Sequence, residues 1–384
     1  MNQLLDVDAL VRSSRAQVPE GDFGDESFIE PLRVFVEALE REARLQGTGQ
    51  WAAAARIIAA LNRRRRLHAL VERTPELVEV PVEAPVFILG FPRTGTTLLH
   101  NLFASDPANR ALRLWEMREP FAPADAGPDW AAQVQATTAQ LVEAGYRLSP
   151  RLAAIHPLDP MWPDECSWLF RNSFATQVLG FSYFVPSYLR YLDARDARPD
   201  YRYFKLQLQG ILAQRPGQPL VLKDPCHIWN LDALLETFPD ARVIYLHRAI
   251  EQVLPSFCSL CRALQEGGAE ARPDAAIGRY ATQMLATAMD RALAVRSRLE
   301  SDRILDLDYR RLVAAPLDSV AGLYDQLGLD YTPAAREAMA DWLEANRGLS
   351  GKHRYSLEMF GLDPDEVASR FAAYTDRFAS LLAN

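Results

Sequence analysis

The chain has 384 residues, enough for one large domain or two modest ones with a sizeable core. Hydrophobic residues make up 49% and charged residues 24%, the balance of an ordinary soluble globular protein. With 50 acidic against 42 basic side chains the net charge is −8, which excludes a nonspecific nucleic-acid or anionic-membrane binder. Any anion bound here must be held by a local cluster of cations.

The opening "MNQLLDVDALVRSSRAQ" carries acids early and no continuous apolar core, so it does not read as a secretory signal. No stretch approaches the ~20 apolar residues of a membrane span. Residues 1 to about 82 read as a helical extension, with apolar residues at three- and four-residue spacing in "SFIEPLRVFVEALEREARL" and "QWAAAARIIAALNRRRRLHALVERTPEL". The run Arg63 to Arg66, surrounded by acids, reads as the solvated face of a helix. At "EVPVEAPVFILG" two prolines give way to a β-branched run, and a second unit, 83 to 384, begins there.

Residues 86 to 103, "VFILGFPRTGTTLLHNLF", spell a buried strand, a tight turn and the start of a helix. The turn is G-x-x-x-x-G-T-T, a nucleotide P-loop without its lysine. Gly90, Gly95 and a helix starting near Thr96 aim free N–H groups at an anion, and Thr96 and Thr97 add hydroxyls. Thr96 stands where an ATP- or GTP-cleaving loop has lysine, and the cation moves to Arg93, whose planar fork suits phosphate or sulfate. No clear magnesium-holding aspartate follows, so the site reads as built for an anion without a metal.

Between 115 and 215 only helices and loops are expected, an insertion on the acceptor side of the sheet. It concentrates aromatics: Trp168, Phe170, Phe174, Phe181, Tyr183, Phe184, Tyr188 and Tyr191. Some of these are core, and the remainder suit a bulky apolar alcohol or phenol. Three further strands follow, "PLVLK", "ARVIYLH" and "DRILDLDY", each short and apolar as in a parallel sheet buried on both faces. The alternation with helices gives an α/β fold with a central parallel sheet between helical layers.

Lys223 ends one of these strands and Arg248 follows another, where open α/β sheets place their ligands. Ser256, eight residues beyond Arg248, lies in a helical segment and can converge with it on one phosphate. A surface pairing of Arg248 with Glu251 is the plain alternative. Four cysteines, Cys166, Cys226, Cys258 and Cys261, form no disulfide-like framework and suit a reducing cytoplasm. Cys258 and Cys261 form C-x-x-C inside an apolar helical pattern, which reads as packing rather than a metal or redox pair.

Taken in order, these segments resemble the PAPS-dependent sulfotransferase superfamily (PAPS is 3′-phosphoadenosine 5′-phosphosulfate; PAP is its desulfated product). "GFPRTGTTLLH" is similar to the 5′-phosphosulfate loop, and "YLHRAIEQVLPSFCSL" to the 3′-phosphate element. "LKDPCHIWNLDALLETFPDAR" resembles the segment between them in the tyrosylprotein and related bacterial branches. "FIEPLRVFVEALEREARL", "LNRRRRL", "LWEMREPFAP" and "HRYSLEMFGLDPDEV" extend the resemblance to large bacterial sulfotransferases over nearly the whole chain. Ala249-Ile250 departs from the Asp-Pro that many relatives carry after the arginine.

The resemblance implies a P-loop-like fold, PAPS as donor, no metal, and Arg93, Thr94, Gly95, Thr96 and Thr97 around the phosphosulfate. It further implies Arg248 and Ser256 on the 3′-phosphate and Lys352 and Arg354, in the basic "GKHRY", closing over the nucleotide. Sulfuryl transfer needs cations on the leaving phosphate, for which Lys223 and Arg93 are the candidates, and a base for the acceptor proton. Glu116 in "LWEMREP" is favoured as base, then His227, with Glu165 in "WPDECSW" a third candidate. The acceptor is expected to be a bulky apolar small molecule offering a hydroxyl or amine, and homo-oligomerisation is left open. A noncatalytic PAP- or PAPS-binding protein and a magnesium-dependent P-loop phosphotransferase are the alternatives.

Overall fold

Five strands, β1 (Val86–Gly90), β2 (Arg110–Ala111), β3 (Leu220–Lys223), β4 (Arg242–His247) and β5 (Ile304–Asp308), form a single sheet. The computed structural model describes residues 3–214, 219–299, 303–347 and 355–382. All neighbours pair in parallel, in the order β2-β3-β1-β4-β5. β1 is central, every one of its residues buried, and it registers Val86 against Val221 on one side and against Arg242 on the other.

The period-two alternation of β1 divides the core. Val86 and Ile88 join Leu99, Leu102 and Phe103 of the following helix, together with Val320, Leu323 and Met339, on one face. Phe87 and Leu89 face a larger cluster that takes in Phe28, Phe35, Ile57 and Leu61 from the N-terminal helices as well as Phe170 and Phe204 from the insertion. The result is three layers, helix–sheet–helix, with the N-terminal helices Val7–Gln17, Ile29–Arg41 and Gly47–Arg73 packed into one of them.

Two expectations change. β5 is an edge strand whose burial alternates and whose Asp306 is exposed, so its outer side is not covered as a doubly buried strand would be. The arginine run is not a solvated face. Arg64 is fully buried, donating to the carbonyls of Phe23 at 2.9 Å and Asp25 at 3.2 Å, with its guanidinium 3.9 Å from the Tyr203 ring centroid. Arg65 donates to the carbonyls of Val18 at 2.6 Å and Pro19 at 3.1 Å. The loop between the first two long helices supplies these carbonyls, so both cations stay hydrogen-bonded out of water.

The helical insertion is as expected, with Trp130–Leu148, Gln177–Tyr183, Pro186–Ala194 and Arg198–Gln214 among its elements. Cys258 and Cys261 lie fully buried in the helix Ile250–Gln265, and burial pushes both thiols up. They are packing residues.

Candidate active site

The loop after β1 depends on backbone conformations that most side chains avoid. Gly90, Arg93 and Gly95 have φ of +146°, +73° and +88°. A Cβ on Gly95 would also stand 2.8 Å from the Tyr309 ring, so this position needs glycine twice over. Gly95 caps the helix Thr96–Ser105, whose first N–H groups have no partner within the helix and point back toward the loop. The Thr94 hydroxyl donates to the Phe91 carbonyl at 2.7 Å and closes the loop on itself. Thr96 and Thr97 open the helix, and their hydroxyls make no hydrogen bond among the described residues.

The second anion element meets the first directly. Arg248, just past β4, donates through Nη1 to the Arg93 carbonyl at 2.9 Å and through Nε to Gln252 Oε1 at 3.1 Å. Its guanidinium carbon lies 4.1 Å from the Tyr309 ring centroid. Its backbone N–H donates to the Tyr374 hydroxyl at 3.3 Å, and that hydroxyl donates to the Arg248 carbonyl at 3.2 Å. No pairing with Glu251 occurs. Arg93 Nε donates to Ser256 Oγ at 3.3 Å, so Arg93, Arg248 and Ser256 converge from two separate motifs. Burial, partly offset by Tyr355, and the like charge of Arg248 lower the Arg93 pKa. Two cations held together in this way favour an anion between them.

Lys223, at the carboxyl end of β3, is 1% exposed and donates through Nζ to Glu165 Oε1 at 2.9 Å. The Cys166 N–H donates to the Lys223 carbonyl at 2.9 Å, which docks the Glu165 segment on the end of the strand. Burial alone would neutralise both groups, but each charge outweighs it for the other: Lys223 is raised and Glu165 lowered, the latter helped by His156. Glu165 Oε2 makes no hydrogen bond among the described residues, and its side chain keeps 20% exposure. The Glu165 charge also acts on Arg93, so the pair and the phosphate loop share one electrostatic site.

A profile described as the sulfotransferase family matches residues 85–333, which takes in all five strands. The chain belongs to the sulfotransferase family. Among curated proteins it is 27% identical over 279 residues to the omega-hydroxy-beta-dihydromenaquinone-9 sulfotransferase Stf3 of Mycobacterium tuberculosis, covering 68% of each chain. Among solved structures it is similar to the sulfotransferase STF1 of Mycobacterium tuberculosis, with 32% identity, a TM-score of 0.85, and coverage of 97% of this chain and 100% of that one. The Mycobacterium avium sulfotransferase STF9 gives 26% identity, a TM-score of 0.87 and coverage of 98% of both chains. The protein is a sulfotransferase, and the α/β fold expected from its strands is the sulfotransferase fold.

The two favoured bases are both engaged by other groups in this sulfotransferase. Glu116 is buried and takes both Arg110 nitrogens, Nη1 on Oε2 at 3.0 Å and Nη2 on Oε1 at 2.5 Å, while Oε2 also accepts the Arg113 N–H at 2.9 Å. Both of its oxygens are therefore committed to an ion pair and a helix cap. His227 is 1% exposed among Phe87, Phe170 and Phe204, its Nδ1 is 2.7 Å from the Tyr201 hydroxyl, and burial pushes it down to about 3. The ring is neutral and enclosed by aromatic side chains. Lys352 and Arg354 lie outside the described residues.

Asp224, beside Lys223, is not among the site residues expected from the sequence. Its Oδ1 accepts the Cys226 N–H at 2.8 Å and its other oxygen is buried without a partner. Burial, then the nearby Glu165 charge, pushes it up to about 7. A carboxyl raised on folding favours the native state only while protonated, so stability should fall as pH rises from about 4 through about 7. Asp224→Asn, which keeps the capping oxygen, should flatten that part of the profile in denaturant melts at several pH values. An unchanged slope would mean Asp224 ionises normally.

Proposed function

We propose that the protein transfers the sulfuryl group of PAPS to a hydroxyl or amine of an apolar small-molecule acceptor, with Glu165 as the base. The observation that carries this reading is the Lys223–Glu165 pair, a 2.9 Å contact at the carboxyl edge of the sheet beside Arg93. It supports Glu165 over Glu116 and His227, because Glu165 alone of the three combines a free oxygen with access to solvent.

On this reading the amides of the first turn after Gly95, with Arg93, Thr96 and Thr97, hold the phosphosulfate, and Arg248 and Ser256 hold the 3′-phosphate. Glu165 accepts the proton of the acceptor as its oxygen or nitrogen bonds to sulfur. The sulfur–oxygen bond to the leaving phosphate breaks with its electron pair, and Lys223 and Arg93 stabilise the charge that PAP acquires. No metal is required by these groups.

The apolar acceptor is supported by Stf3, whose name gives omega-hydroxy-beta-dihydromenaquinone-9 as what it sulfates. The insertion supports it less, since Phe170, Phe174, Phe181, Tyr183 and Tyr188 are core residues and only Trp168, Phe184 and Tyr191 are partly open. Among the described residues no helix is long and apolar enough to cross a membrane. Free, buried cysteines fit a cytoplasmic location.

Calorimetric titration with PAP in metal-free buffer tests the donor. PAP should bind well above adenosine 5′-phosphate and magnesium-ATP, and Arg248→Ala should lose about 10- to 150-fold in PAP affinity, the worth of one charge-assisted contact. Indifference to the 3′-phosphate would refute the donor assignment.

A further inference from the structure

The helix Gly47–Arg73 does more than cover the sheet. Its Arg56 donates to the Tyr183 hydroxyl at 2.7 Å, and its Arg63 donates to Asn172 Oδ1 at 3.0 Å, both on the insertion. There they join two further arginines around Trp168, whose ring centroid is 4.0 Å from the Arg171 guanidinium and 5.2 Å from that of Arg118.

Two nearby carboxylates, Glu119 and Glu165, are paired with other cations, and the Asp164 charge reaches Arg171 without forming an ion pair. Glu119 pairs with Arg66 at 2.9 Å and Arg63 at 3.5 Å, Asp164 accepts the Trp168 indole N–H at 3.1 Å, and Glu165 holds Lys223. Among the described residues, Arg56, Arg118 and Arg171 have no carboxylate within ion-pair distance, and Arg118 and Arg171 donate no side-chain hydrogen bond. The contrast with Arg64 and Arg65 on the same helix is instructive. Those two are structural, and both spend their donors on backbone carbonyls. Arg118 and Arg171 are instead half-buried and Arg56 is open to solvent, so a ligand can reach them. Burial and mutual repulsion lower Arg118 and Arg171 to about 10 each, and both stay charged at neutral pH.

We propose that Arg56, Arg118 and Arg171 form an anion subsite at the acceptor end of the transfer site, taking an acceptor that carries a carboxylate or phosphate apart from the hydroxyl it presents. This rests on Glu165 and Lys223 being the transfer centre. Arg171 follows Glu165 by six residues, just past the short helix Ser167–Phe170, and its charge helps hold the Glu165 carboxyl ionised. An acceptor bridging Arg171 and Glu165 carries its anion at one end and its hydroxyl at the other. The planar forks of Arg118 and Arg171 suit an oxyanion, and Trp168 between them offers the acceptor an apolar face.

The test is calorimetric binding of three ligands to PAP-loaded protein: ω-hydroxydodecanoate, ω-hydroxydodecyl phosphate, and the methyl ester of the first, which keeps the chain and hydroxyl but loses the charge. At least one anion should bind ten-fold or more tighter than the ester, and the better of the two identifies the group. The preference should collapse in Arg171→Gln and Arg118→Gln, recover in part in Arg171→Lys, and leave PAP affinity unchanged in all three. The subsite is overturned if the ester binds as well as both anions, if none of the three binds, or if the preference survives both glutamine variants. Failure of PAP itself to bind counts against the donor reading instead, and the same titration without PAP then decides the subsite on its own.

Discussion

Glu165→Gln should lower kcat by about 10²–10⁴-fold, the usual worth of a positioned general base, with the affinity for PAP retained. The amide oxygen can still accept the 2.9 Å hydrogen bond from Lys223, so the substitution removes basicity while keeping the local packing. The pH profile supplies a second, independent readout. Burial opposes the Glu165 charge, but Lys223 and His156 outweigh it and hold the carboxyl below its ordinary value of 4.5. The acid limb of kcat should therefore fall below pH 4.5, with activity level from there to neutrality. The linked stability has the same sign. A carboxyl depressed on folding stabilises the native state above its unfolded pKa, and that contribution is lost as pH falls through the folded one. A glutamine variant with near-normal kcat would remove Glu165 from the chemistry.

Much of this site was legible in the sequence because its chemistry sits in contiguous motifs. The phosphate loop, Lys223, Arg248 and Ser256 were each read from a strand end or the helix after it, and parallel pairing brings those ends to one edge. The proposed base was not legible in the same way. Glu165 reaches Lys223 only because the Cys166 N–H docks on the Lys223 carbonyl across a long stretch of chain, and no local pattern announces that contact. The engagement of Glu116 was hidden for a related reason. The Arg110 that engages it lies on β2, a two-residue strand with too few positions to show a period.

The arginine run misled by composition. Charges among acids usually mean a wet helix face, yet Arg64 and Arg65 find backbone carbonyls in a loop some forty positions earlier. β5 followed the apolar run but not the expected burial, since its Asp306 turns outward to hold His247 at 2.7 Å and Arg296 at 2.6 Å. In each case the strand or helix was readable, and the partner across the chain was not.

Lys223→Met should cost about 10²–10³-fold in kcat, as removal of one preorganised charge-stabilising group does. It should also destabilise the protein, by about 3 kcal/mol or somewhat more, because a largely buried Glu165 is left without its cation. The pH profile should change in a direction opposite to ordinary loss of function. With Lys223 gone, burial dominates the Glu165 carboxyl, and the acid limb of kcat moves up in pH.

The double variant Lys223→Met with Glu165→Gln separates structure from chemistry. Neither side chain is then charged, so the buried imbalance disappears and stability should recover well above that of Lys223→Met alone. The rate should not recover with it, because base and leaving-group stabiliser are both absent, and the two losses should combine less than additively as they do for residues acting in one transition state. A pair that served only to hold the insertion on the sheet would behave otherwise. In that case restoring stability would restore the rate, and the catalytic assignment of Glu165 and Lys223 would fall together.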